Sequence, residues 1–191
     1  DVGAYLLITF DGDSMDELDP LVESASEMLL EEGALDVLVA DTAPKLKDIW
    51  AARSSFLEGI NEQFKLVDEC DVVVPVNKIA PYVEYVDKIK DKYDFELKYF
   101  GHAGDGNLHI YTCSNDMEKG KFNEQTDEFL TAIYKKSMEF GGQISGEHGI
   151  GFGKINYLAQ ALGPVNIDLM KGIKKVFDPK LILNPGKVIS L

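Results

Sequence analysis

Three histidines carry the chemistry this sequence can offer, and all three fall in two glycine-rich segments. His102 and His109 lie in Gly101-His-Ala-Gly-Asp-Gly-Asn-Leu-His109, and His148 lies in Ser145-Gly-Glu-His-Gly149. Histidine is the commonest metal ligand and the side chain suited to proton transfer near neutral pH. Glycines beside it allow tight turns and close approach of the backbone to a ligand. Two strands joined across Gly104-Asp-Gly106 would bring His102 and His109 together although they stand seven positions apart. Glu147 would add an oxygen from the later segment, completing a two-His, one-carboxylate set with open positions for a substrate. The first segment also suits an ordinary hairpin with polar turn residues, and from the residues both remain open.

Other motif matches fail. Asp11-Gly-Asp13 begins like a calcium loop but puts Met15 where an oxygen ligand belongs. Gly149-Ile-Gly-Phe-Gly-Lys154 lacks the first glycine and the final Ser or Thr of a phosphate-binding loop. The dinucleotide fingerprint and the Gly-x-Ser-x-Gly elbow are absent. Arg53 is the sole arginine among 19 basic residues. Its planar fork suits a carboxylate, but from composition alone a helix-surface ion pair with Glu58 or another acid is the stronger reading.

The elements that must position these residues alternate between strand-like and helix-like runs. Ala4–Phe10 and Leu35–Ala40 read as strands, the first closed by Asp11-Gly12. Between them Leu18, Leu21, Val22, Ala25, Met28 and Leu29 recur at helical spacing. Ser14 and Glu17 form a candidate capping box there, and Gly33 is the stop. A long helical stretch from about Thr42 to Phe64 carries Trp50, Arg53 and Phe56, with Gly59 as its weak point. Asp71-Val-Val-Val-Pro75 predicts a strand ended by proline, and Pro81 opens the helix that follows. Phe95–Phe100 and Leu108–Cys113 predict a hairpin, and Phe122–Phe140 predicts an amphipathic helix. Lys154–Leu162 and Val165–Phe177 predict two closing helices. This order predicts an α+β fold, an antiparallel sheet with helices packed mainly on one face.

The 191 residues suffice for one large domain, and 45% hydrophobic with 27% charged residues is ordinary globular composition. A formal charge of −14 argues against nucleic acid or anionic lipid as the main partner, since both need a basic footprint. Cys70 and Cys113 are too few for a disulfide framework and read as reduced, buried small hydrophobes, which leads us to expect a cytoplasmic protein. No run approaches the length of a membrane span. The acidic opening, Asp1 to Gly3, is not expected to be a signal peptide, and the entry straight into Ala4–Phe10 reads as a boundary inside a longer polypeptide.

On these residues the chain resembles the C-terminal domain of FAD-linked 2-hydroxy-acid dehydrogenases and oxidases. That family includes the flavin subunit of glycolate oxidase, flavin-dependent D-lactate dehydrogenases and D-2-hydroxyglutarate dehydrogenase. Asp71–Pro75, Gly101–His109, Gly146–Gly151 and Leu183-Asn-Pro-Gly-Lys187 carry the likeness in order along the whole chain. The resemblance implies one cap domain over residues 1–191 with ferredoxin-like character, and an FAD-binding domain elsewhere in a protein of roughly 450 residues. It implies His102, His109 and Glu147 as ligands of a divalent metal (zinc, iron or manganese) and His148 as the base. It further implies Arg53 on the substrate carboxylate, and Asn107, Asn184 and Lys187 near the flavin.

The implied activity is oxidation of a small D-2-hydroxy acid, with electrons passed to a protein or quinone acceptor. Peripheral contact with a membrane would come through that acceptor. Relatives acting on a dicarboxylate have a lysine where this chain has Glu69, so a monocarboxylate such as D-lactate or glycolate is expected. An apolar face toward the FAD domain would also allow a homodimer. A metal- or acid-binding module without redox chemistry, or a docking domain for an electron-transfer partner, is the alternative.

Overall fold

The computed structural model describes residues 3–191 and resolves into two compact units, one ending at Ser55 and the other spanning Phe56–Leu191. The first unit holds α1 (Met15–Glu31) and α2 (Ala43–Ser54). Ser14 occupies the N-cap of α1 with extended backbone, but its side chain makes no capping bond; its carbonyl instead accepts from the Glu17 and Leu18 N–H groups. The expected capping box is therefore not closed. Gly33 ends the helix with φ 96°, a value that glycine adopts without a Cβ penalty.

Two expected strands do not form. Ala4–Phe10 and Leu35–Ala40 carry no strand pairing among the described residues, and Tyr5 and Leu38 stand almost fully exposed. β-forming side chains favour extended backbone, but a strand exists only where a neighbour supplies the ladder. The long helical stretch also divides, at Ser55 rather than Gly59. The Ser55 N–H turns back to the carbonyls of Ala51 and Ala52, and its hydroxyl donates to Ala52 as well.

The second unit begins with α3 (Phe56–Gln63) and continues β1 (Leu66–Val73), α4 (Ile79–Lys90), β2 (Glu96–His102), β3 (Asn107–Ser114), α5 (Lys119–Glu139) and α6 (Ile155–Phe177). The sheet is antiparallel with order β1-β3-β2, so β1 and β2 run parallel on either side of β3. A strand, a crossover helix and a hairpin that returns between them is the split unit of ferredoxin-like folds. The expected α+β architecture is thus present as a small three-stranded sheet. The helix-breaking backbone at Gly163 (φ 73°, ψ 170°) separates α6 into the two expected segments.

Alternation along the strands decides which side chains meet what. Cys70 and Val72 of β1 and Leu108 and Ile110 of β3 enter one apolar core with Tyr82, Val86 and Ile89 of α4 and Phe129 and Ile133 of α5. Burying each of the aliphatic or phenyl groups contributes roughly 1.5–3 kcal/mol relative to exposure. The polar atoms in this core are paired: the Tyr82 hydroxyl donates to the Ile133 carbonyl at 2.9 Å, and the Thr112 and Thr126 hydroxyls meet at 3.2 Å. Burial and neighbouring anions push the Cys70 thiol up to about 12, with Tyr134 and Lys154 opposing, so it remains a neutral core group.

The opposite face is divided. Ile60 and Phe64 pack on Tyr111 and Cys113 at one end. At the other end lie Asp71, Asn107, His109 and His102, in register across the three strands. Among the described residues no helix is long and apolar enough to cross a membrane.

Candidate metal centre

The hairpin brings the first two histidines together. His109 pairs with Phe100 and His102 with Asn107, so the two imidazoles are diagonal neighbours on one face, with centroids 5.8 Å apart. The turn between them is a short 3-10 segment, Ala103–Asp105, closed by Gly106 at φ 72°. A Cβ on Gly106 would collide with the carbonyl of Val74, which is why the turn needs glycine there.

The second glycine-rich segment arrives from α5. After Phe140 the chain turns at Gly141 (φ 82°) and lays Gln143 against the end of β1 through two backbone bonds with Val73. Ile144 is buried, and Ser145–His148 then crosses the polar face. Asp71 holds that crossing. Its Oδ2 accepts the N–H groups of Gly146 (3.0 Å), Glu147 (3.0 Å) and His148 (2.8 Å) and the hydroxyl of Ser145 (3.0 Å). Its Oδ1 accepts Asn107 Nδ2 at 2.7 Å, and Lys154 Nζ approaches Oδ2 at 3.6 Å while donating to the Asp71 carbonyl. Burial alone would raise the Asp71 carboxyl. The His148 N–H, then Asn107, Lys154 and Ser145, outweigh it and hold the group well below the usual carboxylate range.

This loop delivers Glu147 and His148 in different directions. Glu147 Oε1 lies 3.1 Å from His109 Nε2 and 3.6 Å from His102 Nε2. Donors held 2.0–2.2 Å from one tetrahedral ion stand roughly 3.4 Å from one another, so the three side chains fit a single cation. His148 turns its Nδ1 to Glu69 Oε1 at 2.9 Å, and its Nε2 lies 3.7 Å from Glu147 Oε1. Glu69 also accepts the Tyr111 hydroxyl at 3.0 Å and faces His109 Nδ1 at 3.4 Å. Burial would raise the Glu69 carboxyl; hydrogen bonding from His109 and Tyr111 and the electrostatic influence of the neighbouring imidazoles bring it below its ordinary value.

His109 is almost wholly buried, and its Nδ1 makes no well-directed hydrogen bond among the described residues; the carboxylates of Glu69, at 3.4 Å, and Asp71, at 4.0 Å, both face it. His102 and Glu147 are exposed at an open pocket of about 330 Å³ whose walls also include Val73, Asp105, Asn107 and Gly146, and the His148 side chain is exposed as well.

The remaining expected site residues are placed as follows. Asn107 is buried, spends its amide on Asp71 and the Val72 carbonyl, and leaves Oδ1 without a partner among the described residues. Asn184 adopts φ 45° in the exposed tail, where its carbonyl accepts the Lys187 N–H. Lys187 Nζ stands 5.2 Å from the Phe152 ring centre, and the Val188 N–H donates to Gly151. Arg53 is half-buried in the last turn of α2, in the first unit.

The sequence points to His102, His109 and Glu147 as a cluster, which the structure brings together, but gives no role to Asp71, although it lies inside Asp71–Pro75. An acid between Cys70 and Val72 in a strand that reads as buried was the available signal, because a buried carboxylate must find donors.

Comparison with known proteins places the chain in a family. The model of the FAD linked oxidases, C-terminal domain, matches residues 1–188. A D-lactate dehydrogenase of Anaerostipes hadrus is 58% identical over 98% of this chain and 40% of its own length. The glycolate oxidase subunit GlcD of Bacillus subtilis is 36% identical over 98% of the chain and 39% of its own. A D-2-hydroxyglutarate dehydrogenase of Stutzerimonas stutzeri is 30% identical over 97% of the chain and 40% of its own. The chain thus spans about two-fifths of the length of these relatives. With a match over nearly its whole length, it belongs to the FAD-linked oxidases, as their C-terminal domain.

Proposed function

We propose that this chain is the substrate- and metal-binding part of an FAD-dependent dehydrogenase that oxidises a small D-2-hydroxy acid, of the D-lactate or glycolate type, to the 2-oxo acid. The convergence of His102 Nε2, His109 Nε2 and Glu147 Oε1 on one point carries this reading. When bound, a divalent ion such as zinc, iron or manganese would lower the pKa of a ligated hydroxyl, and FAD would supply the hydride acceptor.

The chain's own residues then have distinct tasks. His102, His109 and Glu147 offer two imidazole nitrogens and one carboxylate oxygen and leave open positions for the substrate. His148 takes the hydroxyl proton at Nε2 while Glu69 holds its Nδ1. With its side chain partly exposed, His148 can return that proton to water. The substrate loses one proton to His148 and one hydride from the α-carbon, which balances the two-electron oxidation. Arg53 is assigned to the substrate carboxylate, and Asn107, Asn184 and Lys187 to the approach of the flavin.

Glu69 supports a monocarboxylate. It places a negative charge beside His148, and a second substrate carboxylate brought there would be repelled. The 58% identical D-lactate dehydrogenase favours the same choice. Electrons leave for a protein or quinone acceptor, and the whole protein works in the cytoplasm, reaching a membrane only through that acceptor. The exposed Val165, Leu169, Ile173 and Phe177 along α6 support a covered face, provided by the FAD domain or by a second copy.

Anaerobic mixing of the whole FAD-loaded protein with D-lactate, glycolate and D-2-hydroxyglutarate tests the proposal. Faster flavin reduction by a monocarboxylate is expected, and a clear preference for the dicarboxylate would reject it.

A further inference from the structure

Asp71 touches neither the pocket's open side nor the predicted ligand atoms at bonding distance, yet it organises both. It is 1% exposed and lies on β1, where the ladder with β3 fixes its backbone. Three consecutive N–H groups, from Gly146, Glu147 and His148, and the Ser145 hydroxyl converge on its Oδ2 within 2.8–3.0 Å. Successive amides that all point at one oxygen form a concave anion nest, and that arrangement fixes the backbone of every residue in it. With the backbone fixed, neighbouring side chains leave in set directions. Glu147 is aimed at His109 and His102, and His148 at Glu69.

Two further features fit this clasp. A Cβ on Gly146 would collide with Asn107 Nδ2 and crowd Asp71 Oδ1, so the loop can approach the carboxylate only with glycine there. Oδ1 is simultaneously occupied by the Asn107 amide. Both carboxylate oxygens are therefore needed as acceptors. An asparagine at this position would turn an NH₂ group toward either the loop amides or Asn107, placing donor against donor.

We propose that Asp71 is a positioning residue, whose buried carboxylate clasps the Ser145–His148 loop and thereby sets Glu147 for the metal and His148 for the substrate. The inference rests on the metal centre proposed above, and the experiment keeps the two separable. In the whole protein, wild type, Asp71→Asn and Ser145→Ala are compared by zinc affinity against a chromophoric chelator. The visible spectrum of the Co²⁺-substituted forms and amide hydrogen exchange of the loop without metal are recorded on the same samples.

Asp71→Asn is expected to bind zinc roughly 10–100-fold more weakly, as for loss of an outer partner of a metal ligand, with an altered Co²⁺ spectrum. Ser145→Ala, which removes one donor and no charge, should weaken zinc binding about fivefold. The amides of Gly146, Glu147 and His148 should be protected in wild type and exchange quickly in Asp71→Asn. Wild-type zinc affinity together with an unchanged Co²⁺ spectrum in Asp71→Asn would overturn the proposal. Unprotected loop amides in the wild type would do the same. Should Asp71→Asn not fold, unchanged affinity and exchange in Ser145→Ala would count against it equally. A wild type that binds no zinc would reject the metal centre, while the exchange data would still decide the clasp.

Discussion

The two faces of one three-stranded sheet have opposite characters, although both are built by the same strands. On the helix side, Cys70, Val72, Leu108 and Ile110 meet α4 and α5 in a core with no charged group. On the other side, the residues that alternate with them are Glu69, Asp71, Asn107 and His109, and each of these polar groups contacts another polar side chain of that face. Period-two alternation makes this economical: every chemical residue is flanked in sequence by one that anchors it. The site inherits the rigidity of the core without sharing its composition.

The largest effect separating the faces is expected at His148. In the whole FAD-loaded protein, His148→Asn should slow substrate reduction of the flavin by roughly 10²–10⁴-fold, the usual contribution of a positioned base. Thermal unfolding should stay close to wild type, because the side chain is partly exposed. Unchanged flavin reduction in stopped-flow would remove His148 from the chemistry.

Adjacent residues on β3 give the sharpest contrast. Ile110→Ala should cost about 2–5 kcal/mol of stability through the cavity it leaves, while the folded fraction keeps its metal. His109→Ala should lose the metal with the helix-side core intact. Denaturant unfolding alongside metal analysis checks both, and equal metal loss in the two variants would erase the distinction between the faces.

Asp71 predicts the acid behaviour. Its carboxyl lies well below the usual range in the folded state, so its stabilisation is complete above the ordinary aspartate value of about 3.9 and is lost as pH falls toward the folded value. The fall of stability below about pH 4 should therefore be shallower in Asp71→Asn than in wild type, as read from denaturant midpoints across pH.

The smallest change is expected from Glu69→Gln, which removes a charge beside His148 and keeps its shape. The rate ratio of D-2-hydroxyglutarate to D-lactate should rise by a few-fold, in line with a partly screened charge. A constant ratio would show that Glu69 does not govern that choice.

Much of the site was legible because its signals are local. Glycines around His102, His109 and His148 marked turns, and a hairpin spacing was enough to foresee that the first two imidazoles meet. The α+β order and the Gly163 break were likewise written in periodicity and punctuation. What stayed hidden is non-local. Ala4–Phe10 and Leu35–Ala40 have the side chains of strands, but the partner that would make them strands is not a property of the run itself. Gly59 marks the weak point of that stretch by residue type, yet α3 runs through the glycine and the break falls at Ser55. Asp71 was readable only as an acid in an apolar strand, because its donors lie from 36 to 77 positions further along.

Metal content of the protein, purified without any chelator, tests the central claim most directly when wild type is set beside His102→Ala. The His102 side chain is about half exposed, so replacing it leaves the core alone. One divalent ion per chain in wild type and its loss in the variant is the predicted result. No ion in the wild type, or the same ion retained in both, would contradict a metal centre on this face of the sheet.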